Sequence, residues 1–163
     1  QFGGARDFEF HGGLNASAQS VDDGYGLGAM LAASNDPHRF HALGVREDGD
    51  DSEYADGDIV PTEYERGAWG LGYGLALGEH AFGVDYLRNE TDDAGTPALP
   101  MDIRYVDTDI VSADYLGRIG SIELSGRYFY TDVDHLMDNY ALRGALWREG
   151  HLPWAWVRFF DYL

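Results

Sequence analysis

The sequence predicts an all-β fold: an antiparallel meander of long strands forming part of an outer-membrane β-barrel. Three observations predict it. Apolar and polar residues alternate with a period of two over most of the chain. Several alternating runs reach ten residues or more, near the length that crosses a bilayer at a tilt, whereas strands of soluble sandwiches usually have five or six. Counted from the second run, the links are alternately short and long, as in barrels with tight turns on one rim and loops on the other; the first link, "VDDG", is short where a long one is allowed.

Seven strand-like runs cover roughly 6–19, 24–34, 38–46, 64–77, 80–88, 103–117 and 121–132. In the first, Phe8, Phe10, Gly12, Leu14, Ala16 and Ala18 oppose Asp7, Glu9, His11, Asn15, Ser17 and Gln19. The run at 38–46 is less regular, with apolar residues on both faces. In "WGLGYGLAL", Trp69, Leu71, Tyr73, Leu75 and Leu77 share one face, and Gly70, Gly72 and Gly74 the other. Facing a lumen, those glycines would leave room for a plug or a close-packed loop, or simply allow the strand to curve. Phe82, Val84 and Tyr86 repeat the pattern, as do Ile122, Leu124, Tyr128 and Tyr130. The links "NDPH", "GE" and "RIGS" are short. Those at 47–63 and 89–102 are long and are also the acidic ones, which puts negative charge on the outer rim. Aromatic residues near strand ends fit an interfacial girdle, and equally the general preference of strands for aromatics.

The chain of 163 residues carries 11 basic and 29 acidic residues, a formal charge of −18. Such a surface repels phosphate, so nucleic acid is not an expected partner. Cysteine is absent, which excludes disulfides and thiolate metal sites. No signal peptide is recognisable, and no apolar run approaches the twenty residues of a membrane helix. Catalysis is not expected: no serine sits in a G-x-S-x-G elbow and no H-E-x-x-H occurs.

The chemistry worth weighing is in "YTDVDHLMDNYALR", residues 130–143. His135 and Met137 stand at i and i+2, which on a strand point to one side. Imidazole and thioether are ligands that soft copper(I) favours. The alternative is a loop histidine beside a buried methionine. Met101, after the second long link, offers another thioether or simply packs at a strand start. Asp48, Asp50, Asp51, Asp56 and Asp58 have the oxygen density calcium favours but not EF-hand spacing, so they read as solvated loop charge that gathers cations.

The segments "GTPALPMD" (95–102) and "DHLMDNY" (134–140), within a similarity over about 1–143, resemble TonB-dependent outer-membrane receptors, most closely the copper-receptor branch. The resemblance implies a 22-stranded barrel filled by an N-terminal plug, of which 1–143 would be a part with the plug absent. Residues 144–163 diverge and would form an eighth strand, a short helix or unstructured sequence. It implies uptake of copper or another metal species, with His135 and Met137 as copper ligands and no resident cofactor. The implied partners are outer-membrane lipid, the plug, the remaining strands and the TonB complex. A small complete outer-membrane barrel with a structural or adhesive role is the alternative. An isolated open sheet is expected to be curved, apolar on its convex side, and prone to aggregate.

Overall fold

The computed structural model describes residues 7–142, so the expectations for 144–163 lie outside the described residues. Nine strands are present among the described residues: β1 (Glu9–Ala18), β2 (Tyr25–Ser34), β3 (His38–Gly49), β4 (Ser52–Tyr54), β5 (Gly57–Ile59), β6 (Tyr64–Leu77), β7 (His80–Ala94), β8 (Asp102–Ile119) and β9 (Ile122–Asp138). Seven of them form one open antiparallel sheet in the order β1-β2-β3-β6-β7-β8-β9. This is the expected meander, and the less regular run at 38–46 is a full member of it. The expected loop at 47–63 contains a small hairpin, β4 with β5, that the sequence reading did not anticipate.

The two rims differ as expected. Gly78 and Gly120 each take the first of two turn positions with positive φ, at +60° and +63°. That is where a II′ hairpin turn requires glycine. The longer links all emerge at the opposite rim, including the 19–24 link, which is closed by Gln19 N donating to Gly24 O at 2.9 Å.

Register assigns every side chain to a face. Phe10, Ala33, Phe40, Tyr73, Val84, Ala113 and Tyr128 pair in one row across the sheet. Their neighbours at i±2 complete an apolar face. The opposite face carries glycine and polar residues, together with an apolar row through Met30, Leu43, Leu87 and Ile110. There is one layer and no packed interior: among the described residues, the only buried hydrophobic side chain is that of Ala94. Leu31, Leu71, Val84 and Tyr128 are all more than half exposed. A sheet that buries neither face lacks the second layer on which soluble domains depend.

β7, β8 and β9 extend beyond the expected runs, to Ala94, back to Asp102, and to Asp138. Between β7 and β8 the physical reason is cross-strand charge pairing. Arg88 bonds Asp107 and Asp109 on β8, both at 3.0 Å, and Glu90 on its own strand at 2.9 Å. Tyr86 donates to Asp109 as well. The ladder therefore continues where the apolar alternation stops.

Candidate functional site

His135 and Met137 lie within β9, not in an outer loop as expected, because β9 continues to Asp138. Pairing sets them opposite Val106 and Ile103 on β8, with Val133 the next residue along the same face of β9. That face is the glycine-rich one. Both side chains are half-buried. Arg104 forms a bulge between Ile103 and Tyr105, which re-aims the top of β8. Its guanidinium reaches Asp93 at 2.5 Å and Asp138 at 3.8 Å, tying β7, β8 and β9 together above the pair.

Met101 stands immediately before β8, whose first pair is Asp102 with Asp138. The structure thus brings all three candidates to one end of the β8–β9 pair. Met101 is held there by its backbone: Thr96 Oγ1 donates to Met101 O at 2.5 Å, and Asp102, fully buried, accepts from Thr96 N at 2.8 Å. The 95–101 loop is joined to the preceding long link through Gly95 N and Glu63 O at 2.8 Å. Asp51 in turn accepts from Thr62 N at 2.6 Å and Glu63 N at 3.1 Å. Desolvation raises the pKa of Glu63 above the usual carboxylate value, and Asp51, Asp93 and Asp50 add to the rise. Among the described residues, no group of three or more His, Asp or Glu is arranged to hold a metal ion. His135 and Met137 are a half-site at most, and a soft cation would need further ligands.

The acidic residues of the 47–63 link do not converge on one point. Asp51 satisfies backbone N–H groups, as just described, and Asp22 does likewise for Gly24 N at 3.0 Å. They shape loops and contribute negative potential at the rim.

At Gly72 the glycine stripe is not a vacant recess. A Cβ on Gly72 would collide with the rings and carboxylate of His41 and Asp85, whose Nε2 and Oδ1 lie 3.2 Å apart across it. At Gly28 the colliding side chain is Asn15, and at Gly26 it is Ser17. Small residues here admit polar side chains from neighbouring strands. Sequence reading missed the His41–Asp85 pair. The signal was available only through register, which sets His41 and Asp85 on either side of Gly72.

On the apolar face, the side chains sort by height. Following the row through Phe40, Tyr73, Ala113 and their partners, Pro37 is three residues below it, Gly78 five and Gly120 seven. The short turns therefore descend one residue per strand. With ~3.3 Å per residue and ~4.8 Å between strands, a plane through the turns crosses the strands at a tilt of about 35°. The upper limit of the apolar residues falls in the same direction from β2 to β7 and is level across β7, β8 and β9. It falls at Tyr25, eight residues above the row, then at Trp69, four above, then at Tyr86, Val111 and Tyr130, two above. Segments 25–33, 69–77, 111–119 and 122–130 each span nine residues counting both ends. Aromatics mark both limits. Phe40 packs on Tyr73 at 4.8 Å and Phe82 on Tyr115 at 5.0 Å below, and Trp69 meets Tyr86 edge-on at 5.1 Å above. His38 and His80 bond the hydroxyls of Tyr73 and Tyr115 at 2.8 and 2.9 Å, so the lower rings have polar tips at the turn rim.

No protein-family model matches the chain, and no curated protein or solved structure matches it either.

Proposed function

We propose that this chain is a wall segment of an outer-membrane β-barrel serving as a transport receptor of the TonB-dependent type, with copper or a similar metal cation as its cargo. The observation that carries the membrane part is the slanted apolar band. Nine residues at about 35° give a height near 25 Å, which is that of the lipid-facing band of such barrels, and the slope falls within their strand tilt. The turn rim descends one residue per strand, and the polar boundary drops six residues in the same direction from β2 to β7. Lipid supplies the second layer that the sheet lacks. The unpaired outer edges of β1 and β9 would be satisfied by further strands, since an open edge in lipid is very costly.

The receptor part rests on the resemblance noted above and on the geometry of the long-loop rim. His135 and Met137 lie five and seven residues above Tyr130, on the glycine-rich face, so a ligand descending into the lumen meets them before the membrane. The acidic loops above them draw cations toward the opening. The reading involves binding and passage, with no covalent chemistry by these residues. The plug and the TonB complex are the further partners that this reading implies.

The absence of cysteine makes the membrane reading simple to test. Single cysteines at Leu71, His41 and Asp132 are introduced into the chain reconstituted in liposomes, and labelled with a water-soluble maleimide. Leu71→Cys is expected to stay protected while Asp132→Cys reacts. A chain that remains monodisperse without detergent, with Leu71→Cys fully reactive, would end the proposal. For the cargo, copper(I) titration is expected to weaken about tenfold or more on His135→Ala or Met137→Ala, as for loss of one metal ligand or its support. Unchanged affinity in both variants removes copper from the reading and leaves the barrel standing.

A further inference from the structure

The sheet repeats itself: His38 and His80, Phe40 and Phe82, and Tyr73 and Tyr115 each stand 42 residues apart. We infer that β3–β6 and β7–β8 are two copies of one interchangeable 42-residue unit, with the apolar face common to both and the opposite face particular to each. A shift of 42 carries the register of β2 with β3 onto that of β6 with β7 and of β8 with β9. Ser34–Arg39 becomes Ala76–Ala81 and then Arg118–Glu123. The same shift carries β3 with β6 onto β7 with β8, His38–Leu75 becoming His80–Gly117. The tight turns follow. Asn35 N donates to His38 O across the first, as Leu77 pairs with His80 and Ile119 with Ile122 across the others. A meander does not impose this period, because loop length is free to vary. Shifted likewise, Glu9–Ser34 of β1 and β2 would become Asp51–Ala76, which are not paired.

Side chains repeat with the backbone, and they do so on one face. His38 bonds the Tyr73 hydroxyl at 2.8 Å with the rings 6.0 Å apart, and His80 does the same to Tyr115 at 2.9 and 6.1 Å. Phe40 lies 4.8 Å from Tyr73, and Phe82 lies 5.0 Å from Tyr115. Higher up, Arg46 pairs with Glu65, and its counterpart Arg88 pairs with Asp107, the counterpart of Glu65. All of these belong to the apolar face. On the opposite face no residue of β3 or β6 recurs at its counterpart in β7 or β8: Arg39 gives way to Ala81, His41 to Gly83 and Gly72 to Asp114. Each unit therefore makes its own contacts there. His41 reaches Asp85 across Gly72, whereas Asp114 takes Arg127 of β9 at 2.6 Å. The common face holds the sheet together, and what the other face offers a solute is set unit by unit.

Because cysteine is absent, register can be read by disulfide cross-linking. Deleting residues 38–79 removes one unit and should set Ser34 opposite Ala81, as Ser34 stands opposite Arg39 in the full chain. In the full chain Ser34 and Ala81 are three strands apart, about 14 Å, beyond the ~7 Å that a disulfide spans. The deleted chain with Ser34→Cys and Ala81→Cys is refolded under the conditions that fold the full chain. It is expected to cross-link as fully as the full chain with Ser34→Cys and Arg39→Cys. Its control, Ser34→Cys with Phe82→Cys, puts the thiols on opposite faces and is expected to cross-link at least about tenfold less. A second variant keeps the full length, with residues 38–79 replaced by another copy of 80–121. With Ser34→Cys and Ala81→Cys in that added copy, it is expected to match the full chain as well, against the same opposite-face control. A disulfide yield no better than the control in either variant overturns the inference, whether the variant misfolds or slips in register. The membrane reading stands or falls separately, on the protection of Leu71→Cys in the full chain.

Discussion

The lower and upper halves of β7, β8 and β9 have the same backbone and opposite chemistry. Below Tyr86, Val111 and Tyr130, one face carries Phe82, Val84, Ala113, Tyr115 and Tyr128 and no ion pair. Two residues higher the same face carries Arg88, Asp109 and Asp132, and above them Glu90, Asp107 and Asp134. The ladder runs through the boundary without interruption, so strand pairing is indifferent to the change. What changes is the medium each half is built for. The lower half exposes apolar side chains that water penalises by about 25 cal/mol per Å². The upper half has charges that lipid would penalise far more. Water alone does not suit both halves; on the membrane reading proposed above, a bilayer edge at this level would.

The sharpest way to break that comparison is to move a charge across the boundary. Val84 lies near mid-height of the apolar face, in the row with Tyr73 and Ala113. Val84→Arg is expected to cost about 2–4 kcal/mol in denaturant unfolding from bilayers, as for a cation at the midplane of a barrel's lipid face. Asp132→Arg, on the same face above Tyr130, is expected to change stability by less than ~1 kcal/mol. Equal effects at the two positions would mean that the boundary is not a membrane edge.

A smaller effect separates the two faces within the lower half. Gly72, on the polar face, is covered by His41 and Asp85, whereas Gly44, on the apolar face, is open. Gly72→Ala is expected to push the pair apart and cost ~1 kcal/mol, since both colliding groups are side-chain ends that can swing away. Gly44→Ala is expected to be neutral or slightly stabilising, because alanine loses less entropy in a strand. A double-mutant cycle of Gly72→Ala with His41→Ala is the check. Additive costs would show that Gly72 does not serve the ion pair.

Much of the architecture was legible because a half-buried strand needs alternation and a tight turn needs glycine. The seven main strands, their order and the two unlike rims all follow from those local demands. The upper ends of β7, β8 and β9 were not legible. "RNETDDA" and "HLMD" lack the apolar stripe of the lower strands; the first meets β8 through Arg88 with Asp107 and Asp109, nineteen and twenty-one residues away, and the second meets it through Asp138 with Arg104. The same blindness misplaced His135 and Met137 in a loop. Their i, i+2 spacing correctly put them on one face, but only register sets Val106 and Ile103 opposite them. The glycine stripe misled for a related reason. A missing side chain looks like room for a ligand until the neighbours across the strand are known, and at Gly72 they are His41 and Asp85.

The smallest expected effect tests the upper half alone. Glu63 sits where the long links meet, partly desolvated and near Asp50, Asp51 and Asp93, and its pKa is raised in the folded state. Folding therefore makes this carboxylate hold its proton more tightly than the unfolded chain does. The sign follows from linkage: where the folded state binds more protons, stability falls as pH rises. Its destabilising contribution is absent below the unfolded value of 4.5, grows as pH rises from there through the folded value, and is complete above it. Glu63→Gln is accordingly expected to stabilise the chain at pH 7 by less than ~1 kcal/mol, given how far solvent screens a partly exposed charge. The gain should vanish below about pH 4, where both forms are neutral. Unfolding midpoints of the wild type and variant at pH 4 and pH 7 provide the check. A gain of equal size at both values would mean that Glu63 acts through its shape, and that the acidic rim costs the fold nothing at this position.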